Sequence, residues 1–344
     1  MPGYAGFPGR ASAEHSRGPE SRRGTLARMT EVEKPRPGPV ILIGGAEDKL
    51  DDRVILSRFV SLAGGADANI VVITTASALG DAADELYRQV FVRLGAPHVV
   101  GLRPLTRRDA NSAKASAAIQ GATGVFLTGG NQLRLASVVS GTRIAKAILA
   151  AHRRGAAVAG TSAGASAMAE HMMAFGASGA TPKHRMAQLA EGLGLLKDLV
   201  VDQHFEQRTR LGRLLAVVAQ SPSLIGMGLD EDTAAIVLAD HTLEVIGRGA
   251  VTLIDGTNVV TDAYRASGHR PMMVSGAIIH SIPPGYRFDL RRRRIVPEVV
   301  STGRRRSAEA RARGKVVRMT SRLNEEQPGP LATPTPAPDR EASE

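Results

Sequence analysis

The chain has 344 residues, no cysteine and a formal net charge of +11, and these features exclude several classes of protein. Without cysteine it has no disulfide, no thiolate metal site and no cysteine nucleophile. Residues 39–290 hold 24 basic and 22 acidic residues, so the charge gives no support for a nucleic-acid-binding core. No apolar run is long enough for a membrane span, and the N-terminus lacks the apolar segment of a secretory signal. We therefore expect a cytoplasmic protein with neither a membrane nor a nucleic-acid partner.

The two ends of the chain differ in composition from its middle. Residues 1–38 are rich in Gly, Pro, Ser and Arg, and residues 301–344 run from three consecutive arginines into a Pro-, Ala- and Thr-rich end. Both segments contain few large apolar side chains, which is typical of disordered chain. We predict one folded domain over residues 39–300, between a disordered leader and a disordered basic tail.

Short apolar strands alternate with helical patterns in the first half of this predicted domain. The predicted strands are Val40–Ile43, Ile70–Thr74, Val99–Gly101 and Val125–Thr128. The predicted helices are Asp52–Leu62, Ala82–Leu94, Ala110–Gln120 and Thr142–Arg154. This alternation indicates an α/β fold with a mostly parallel sheet covered by helices on both faces.

Four later strands are more closely spaced, which suggests hairpins rather than crossover units. They are Leu224–Leu229, Ala234–Leu238, Thr242–Ile246 and Val251–Ile254. We expect them to form an antiparallel edge of the same sheet.

The stretch Gly160–Gly164 reads G-T-S-A-G and lies between an apolar strand and a small-residue helical segment. Strand, tight G-x-S-x-G turn and helix is the pattern of a nucleophile elbow, which presents a serine at the edge of a sheet beside a helix N-terminus. The alternative is an ordinary glycine-rich connection in which Ser162 only caps the helix.

Three further polar clusters follow predicted strands, where sites form in open α/β sheets. They are the segments 44–49 (GGAEDK), 129–132 (GGNQ) and 202–204 (DQH). A serine nucleophile needs a base, and His204 is the best candidate because it follows a strand and lies among polar residues. His171 and His184 follow the elbow and stay open as alternatives.

An orienting acid is available in the triplet Asp230-Glu231-Asp232, which follows the strand Leu224–Leu229. A solvated acidic turn is the commoner meaning of such a triplet. A metal site built from Asp202, His204 and the triplet is conceivable, but a serine elbow needs no metal, so we expect neither metal nor cofactor. The order Ser, His, acid differs from the Ser, acid, His order of α/β-hydrolases.

Three arginines follow the candidate base: Arg208, Arg210 and Arg213. The pattern predicts that they lie on one short helix. Because arginine binds carboxylates through a bidentate fork, an acidic substrate is a hypothesis, with a basic surface helix as the alternative.

These motifs together resemble the cyanophycinases, serine peptidases of the peptidase E-like group. The resemblance rests on GGAEDK at 44–49, TGGNQL at 128–133, GTSAGA at 160–165, DQHFEQRTRLGRL at 202–214 and GLDEDT at 228–233, and it covers roughly residues 38–295. It implies a flavodoxin-like three-layer sandwich related to class I glutamine amidotransferases. It also implies hydrolysis of cyanophycin, a poly-aspartate chain carrying arginine on each β-carboxyl, to β-Asp-Arg dipeptides, by a homodimer.

The resemblance also implies roles for residues in the matched motifs. Ser162 would be the nucleophile, His204 the base and Glu231 the orienting acid, with the backbone N–H groups of Gly130 and Ala163 forming an oxyanion hole. The substrate groove would be lined by Gln132, Asp202, Arg208, Arg210 and Arg213.

Other functions remain open at this stage. An aspartyl dipeptidase of the same group shares the elbow, although the arginine-rich segment favours the polymer-cleaving member. A glutamine amidotransferase needs a cysteine at the elbow, and this chain has none. A binding protein that kept only the fold is disfavoured by the complete Ser/His/Glu set.

Overall fold

Two β-sheets share an apolar layer in this structure, a computed structural model that describes residues 36–265 and 268–297. The predicted disordered leader and tail lie outside the described residues, apart from residues 36–38. The strands, in chain order, are β1 Val40–Ile43, β2 Asn69–Ile73, β3 His98–Leu102, β4 Gly124–Leu127, β5 Ala157–Thr161, β6 Ala169–Gly176, β7 Ala187–Glu191, β8 Leu196–Gln203, β9 Ile225–Leu229, β10 Thr233–Val237, β11 Thr242–Gly247, β12 Val251–Asp255, β13 Val260–Thr261, β14 Val274–Ser275, β15 Ile278–Ile282, β16 Arg287–Asp289 and β17 Arg294–Ile295. The helices are α1 Val54–Leu62, α2 Asp81–Arg93, α3 Arg107–Ala110, α4 Ala113–Gln120, α5 Gln132–Val139, α6 Arg143–Arg153, α7 Ala163–Met168 and α8 Leu211–Gln220.

The main sheet has nine strands in the order β17-β16-β11-β10-β1-β5-β4-β2-β3. Strands β1, β5, β4, β2 and β3 run parallel, and β10, β11, β16 and β17 extend the sheet in antiparallel pairs. The register sets Ile43, the last residue of β1, opposite Thr161, the last residue of β5. The segments after both strands therefore emerge at one edge, which is where the elbow begins.

Side chains on β1 alternate between the two faces of the main sheet, as the period of a strand requires. Ile41 and Ile43 pack in one buried cluster with α1 and α2, where Phe59 lies. Val40 and Leu42 pack in the cluster on the opposite face, with helices α4 to α7. The predicted helix–sheet–helix sandwich is confirmed.

A second sheet of six strands, in the order β15-β12-β9-β8-β6-β7, adds a layer that the sequence did not reveal. Leu199, Val201 and Met227 of this sheet pack into the same apolar cluster as Val40 and Leu42. Helix α8 covers the other face of this sheet. The second sheet thus lies against the α4–α7 side of the main sheet.

The prediction that the four late strands extend a single sheet is wrong for two of them. Strands β10 and β11 do extend the main sheet, but β9 and β12 pair with each other in the second sheet. Strand β9 is buried along its whole length, and its glycines let neighbours approach: a side chain at Gly226 would lie 2.9 Å from Val218, and one at Gly228 would lie 2.5 Å from Phe205. Strand spacing does not distinguish such a covered strand from an edge hairpin.

The predicted helix Ala110–Gln120 is two helices, Arg107–Ala110 and Ala113–Gln120. The break occurs because the Ser112 side chain accepts a hydrogen bond from the Ala115 N–H and caps a new helix start. Among the described residues, no helix has the length and apolarity needed to cross a bilayer.

Phe126 on β4 is fully buried in an aromatic cluster, with its ring 4.8 Å from Tyr87, 5.2 Å from Phe91 and 5.5 Å from Phe59. We expect Phe126→Ala to lower the free energy of unfolding by about 3–5 kcal/mol. The variant loses the burial of the aromatic ring and also pays for the cavity that the ring leaves. Urea unfolding measures the loss. Val92→Ala, at a position 44% exposed on the adjacent helix, should have a much smaller effect. Equal losses in both variants would contradict this description of the core.

Candidate active site

The segment from Gly160 to Gly164 has the geometry of a nucleophile elbow. Ser162 follows β5 and precedes α7 with φ 50° and ψ −110°, a conformation that L residues rarely adopt. A side chain at Gly160 would lie 2.5 Å from the Gly164 carbonyl carbon, and one at Gly164 would lie 2.3 Å from the Leu127 oxygen. Both glycines are required by close backbone approach, so the interpretation of Ser162 as a mere helix cap is not needed.

Ser162, His204 and Glu231 lie in one hydrogen-bonded row. The Ser162 Oγ lies 2.9 Å from His204 Nε2, and His204 Nδ1 lies 2.5 Å from a Glu231 carboxylate oxygen. His204 is therefore placed to accept the serine proton at Nε2 while its Nδ1–H donates to Glu231. The alternatives His171 and His184 lie elsewhere: His171 pairs with Glu191 across strands β6 and β7, and the His184 ring lies by the Gly268 carbonyl.

Burial lowers the pKa of His204 below the value usual for histidine, and the nearby Arg208 charge lowers it further. The hydrogen bond and charge of Glu231 act in the opposite direction. The net lowering of the pKa keeps the imidazole neutral, the form that accepts a proton, at neutral pH.

Each carboxylate of the predicted acidic triplet has separate partners. Asp230 accepts the N–H groups of Glu206 and Ala250, which ties the turn that carries the triplet to two other segments. Asp232 accepts the Asp48 N–H and pairs with Arg248. Only Glu231 reaches the His204 ring, so the triplet is more than a solvated turn.

Of the two residues expected to form an oxyanion hole, Ala163 follows Ser162 in the chain, and Gly130 follows a glycine that approaches Ser162. Ala163 is the first residue of α7, so its N–H has no acceptor within the helix. Gly130 has φ 137°, and a side chain there would lie 2.1 Å from the Ala76 oxygen. The preceding Gly129 approaches so closely that a side chain would lie 3.3 Å from the Ser162 Cβ. Their role in stabilising an oxyanion stays a prediction.

The expectation that three arginines lie on one helix is wrong. Helix α8 begins at Leu211, so Arg208 lies in the preceding turn, Arg210 is the helix N-cap and only Arg213 is helical. The helix starts late because Thr209 has φ 50°, which interrupts helical geometry.

Two of these arginines are buried against Asp202. Arg213 reaches the two Asp202 oxygens at 2.6 and 2.5 Å, and Arg210 lies 3.3 Å from one of them. Burial lowers the pKa of Arg210 to about 10, which still leaves it charged at neutral pH. These three side chains are paired inside the protein, so we expect them to position the site. Arg208 is exposed and open to a ligand.

Gln132, also predicted in the substrate groove, sits at the start of α5. Its side-chain amide donates to the Ala174 carbonyl oxygen at 2.6 Å. Asn131 caps the helix by accepting the Arg134 N–H. These bonds link the glycine loop beside Ser162 to strand β6.

Sequence reasoning missed Gln203 and Glu47. The Gln203 side-chain oxygen lies 3.5 Å from the Ser162 Oγ and accepts a hydrogen bond from Arg210 at 3.1 Å. The buried Glu47 carboxylate accepts hydrogen bonds from the hydroxyls of Thr161, 2.5 Å, and Tyr87, 2.7 Å. Both residues lie in motifs that the sequence did single out, GGAEDK and DQH, but neither motif indicates which side chain points inward.

Within residues 36–265 and 268–297, no group of three His, Asp or Glu side chains is arranged to hold a metal ion. The metal site considered from the sequence is not formed there, because Asp202 is engaged by arginines and His204 by Ser162 and Glu231.

The sequence profile of Peptidase family S51 matches residues 40–246. The chain belongs to this family. It is 39% identical to a cyanophycinase from Nostoc sp. over 286 residues, which cover 81% of this chain and 96% of that protein. It is 37% identical to a cyanophycinase from Synechococcus elongatus over 281 residues, 81% of this chain and 87% of that protein. The resemblance carried by the motifs is confirmed, and the chain is a peptidase.

A solved structure shares the fold. A peptidase from an acI-B1 Actinobacterium superposes with a TM-score of 0.53 at 22% identity, covering 72% of this chain and 98% of that one. The predicted flavodoxin-like fold class is confirmed.

We expect the acid limb of the pH profile of kcat/KM to report the lowered pKa of His204, since only the neutral ring accepts the serine proton. Arg208→Gln removes a positive charge that lowers this pKa, so the acid limb should move to higher pH. The shift should shrink at high salt because Arg208 is exposed. Arg93→Gln on α2 is the control. A limb unmoved by Arg208→Gln would contradict the assignment of the base.

Glu47→Gln should reduce stability by about 1–3 kcal/mol, since an amide offers one oxygen where Thr161 and Tyr87 use two. We also expect kcat to fall, because Thr161 precedes the strained Ser162. Thr161→Val, which removes one of the two hydroxyl bonds, should also lower stability and kcat, but by smaller amounts. Thermal unfolding and steady-state kinetics measure the two effects. A stable, fully active Glu47→Gln protein would refute this role.

Proposed function

We propose that this peptidase hydrolyses cyanophycin by a serine mechanism and releases β-Asp-Arg dipeptides. The observation that carries the proposal is the row of Ser162, His204 and Glu231 joined by contacts of 2.9 and 2.5 Å. The proposed substrate is inferred from relatives described as cyanophycinases, which are 36–39% identical to this chain. A homodimer and a cytoplasmic location remain predictions.

The first half of the reaction forms an acyl-enzyme. The Ser162 Oγ attacks the scissile carbonyl carbon while its proton passes to His204 Nε2. Glu231 accepts the hydrogen bond from Nδ1 and stabilises the imidazolium that results. When the tetrahedral intermediate collapses, the carbon–nitrogen bond breaks and Nε2 returns the proton to the leaving amine.

The second half consumes one water molecule. His204, neutral again, takes a proton from water as the water oxygen attacks the acyl carbon. The intermediate collapses, the proton returns to the Ser162 Oγ, and a carboxylic acid leaves. In both halves the N–H groups of Gly130 and Ala163 would stabilise the negative oxygen, a contribution worth about 10²–10³ in rate per donor elsewhere.

The charge around the row supports a substrate that carries carboxylates. Arg208 is exposed beside His204 and has no carboxylate partner among the described residues. Every arginyl residue of cyanophycin, linked through its amino group, offers a free carboxylate that a guanidinium fork can bind. The buried Arg210 and Arg213, which share the single carboxylate of Asp202, would hold the floor of the groove in place.

Incubation with insoluble cyanophycin, followed by mass spectrometry for β-Asp-Arg, tests the proposal. We expect release by the wild-type protein and a loss on the order of 10⁴–10⁶ for Ser162→Ala, as for a lost triad serine. Ser137→Ala, at an exposed position on α5, should retain full activity. Cleavage of Asp-Leu with cyanophycin left intact would decide for an aspartyl dipeptidase. Ser162→Ala keeping a tenth of the activity would reject the serine mechanism.

A further inference from the structure

A pocket of about 570 Å³ lies where strand β6 ends and strand β7 begins, and it carries positive charge with no ion-pair partner among the described residues. Its lining includes Phe175, Lys183, Arg185, Met186, Gln188 and His269. None of the described residues that line it is aspartate or glutamate. Lys183, Arg185 and His269 are exposed. These exposed side chains differ from Arg210 and Arg213, which are buried and share the carboxylate of Asp202.

The fold itself brings the positive charges of this pocket together. The His184 N–H donates to the Arg270 carbonyl oxygen at 3.0 Å, and Lys183 forms an antiparallel bridge with Pro271. Two basic segments, 183–185 and 269–270, are thereby held side by side by backbone contacts. Because like charges repel, and within the described part of the chain neither Lys183 nor Arg185 forms an ion pair, the arrangement favours binding of an anion.

Two sets of contacts link segments that continue from the pocket wall to segments near Ser162 and His204. On one side, the Gln132 amide donates to the Ala174 carbonyl oxygen, next to Phe175 in the pocket wall, and Gln132 continues the glycine loop that touches Ser162. On the other side, the Gly179 N–H donates to the Thr209 oxygen at 2.7 Å, one residue from Arg208. Chain neighbours of the pocket wall, Ala174 and Gly179, therefore contact the residue after the glycine loop and the residue after Arg208.

We propose that this pocket is a subsite for the carboxylates of arginyl residues beyond the unit being cleaved; the proposal rests on cyanophycin being the substrate. Lys183 and Arg185 would bind a carboxylate. Phe175 and Met186 offer apolar surface to the methylene groups of the same arginyl side chain. Its guanidinium, repelled by the basic walls, would point to solvent. The subsite thus favours long chains over a minimal substrate.

The test measures the wild-type protein and the double variant Lys183→Gln/Arg185→Gln on two substrates. The substrates are a soluble cyanophycin of many repeats and a two-repeat fragment. We expect kcat/KM for the long chain to fall about tenfold, mainly through KM, as for two exposed ion pairs, and kcat/KM for the fragment to change less than twofold. Raising the salt concentration should lower the wild-type preference for the long chain and leave the variant unaffected.

The charge-matched control is Arg93→Gln/Lys114→Gln, which removes two exposed charges from α2 and α4. It should behave as the wild-type protein. Both single variants, Lys183→Gln and Arg185→Gln, replace the double variant if its melting curve shows misfolding. Equal losses on both substrates, or no loss on either, would overturn the subsite. Failure of the wild-type protein to cleave either substrate would instead reject the proposed function, and the subsite with it.

Discussion

The hydrogen bond from the His204 N–H to the Gly44 carbonyl oxygen, 2.9 Å long, joins the two sheets at the edge where the site is built. Gly44 follows β1 of the main sheet, and His204 follows β8 of the second. No side chain fits at this junction: one at Gly44 would lie 2.0 Å from the Asp230 oxygen, and one at Gly45 would lie 2.4 Å from the His204 ring. The distance between Ser162 and His204 is therefore set by backbone contact between sheets.

Backbone strain is concentrated at this junction. Of the non-glycine residues with positive φ in the described part of the chain, Ala46, Ser162, His204 and Asp232 surround the site, with φ between 47° and 50°. Such conformations cost on the order of 1–3 kcal/mol each and persist only where the surroundings hold them. Here the Ser162 N–H donates to the Ile43 carbonyl oxygen, and the Asp232 N–H donates to the Gly45 carbonyl oxygen. The core therefore holds these residues in backbone conformations that they would not adopt on their own. The row of side chains is in this way preorganised before a substrate binds.

Sequence patterns predicted what depends on neighbours in the chain. Strand β1 has the predicted bounds, and the G-x-S-x-G spacing identifies Ser162 because Gly160 and Gly164 approach each other within the same five residues. Patterns failed where the partner is remote. Glu47 binds Tyr87 and Thr161, 40 and 114 residues away, and nothing in its own segment marks it as buried. The second sheet was missed for the same reason, because the spacing of strands along the chain does not determine which strands pair.

Burial divides the arginines near Ser162 into two kinds, and sequence alone treats them alike. Arg210 and Arg213 are enclosed with Asp202, and removing that carboxylate would leave two buried charges uncompensated, so their first effect is on structure. Arg208 keeps its charge in solvent, where it lowers the pKa of His204 and is accessible to a ligand. A substrate carboxylate bound to Arg208 would weaken that effect and raise the basicity of the imidazole as the reaction begins. An anionic substrate would thus strengthen the base that acts on it, which couples binding to proton transfer through one exposed charge.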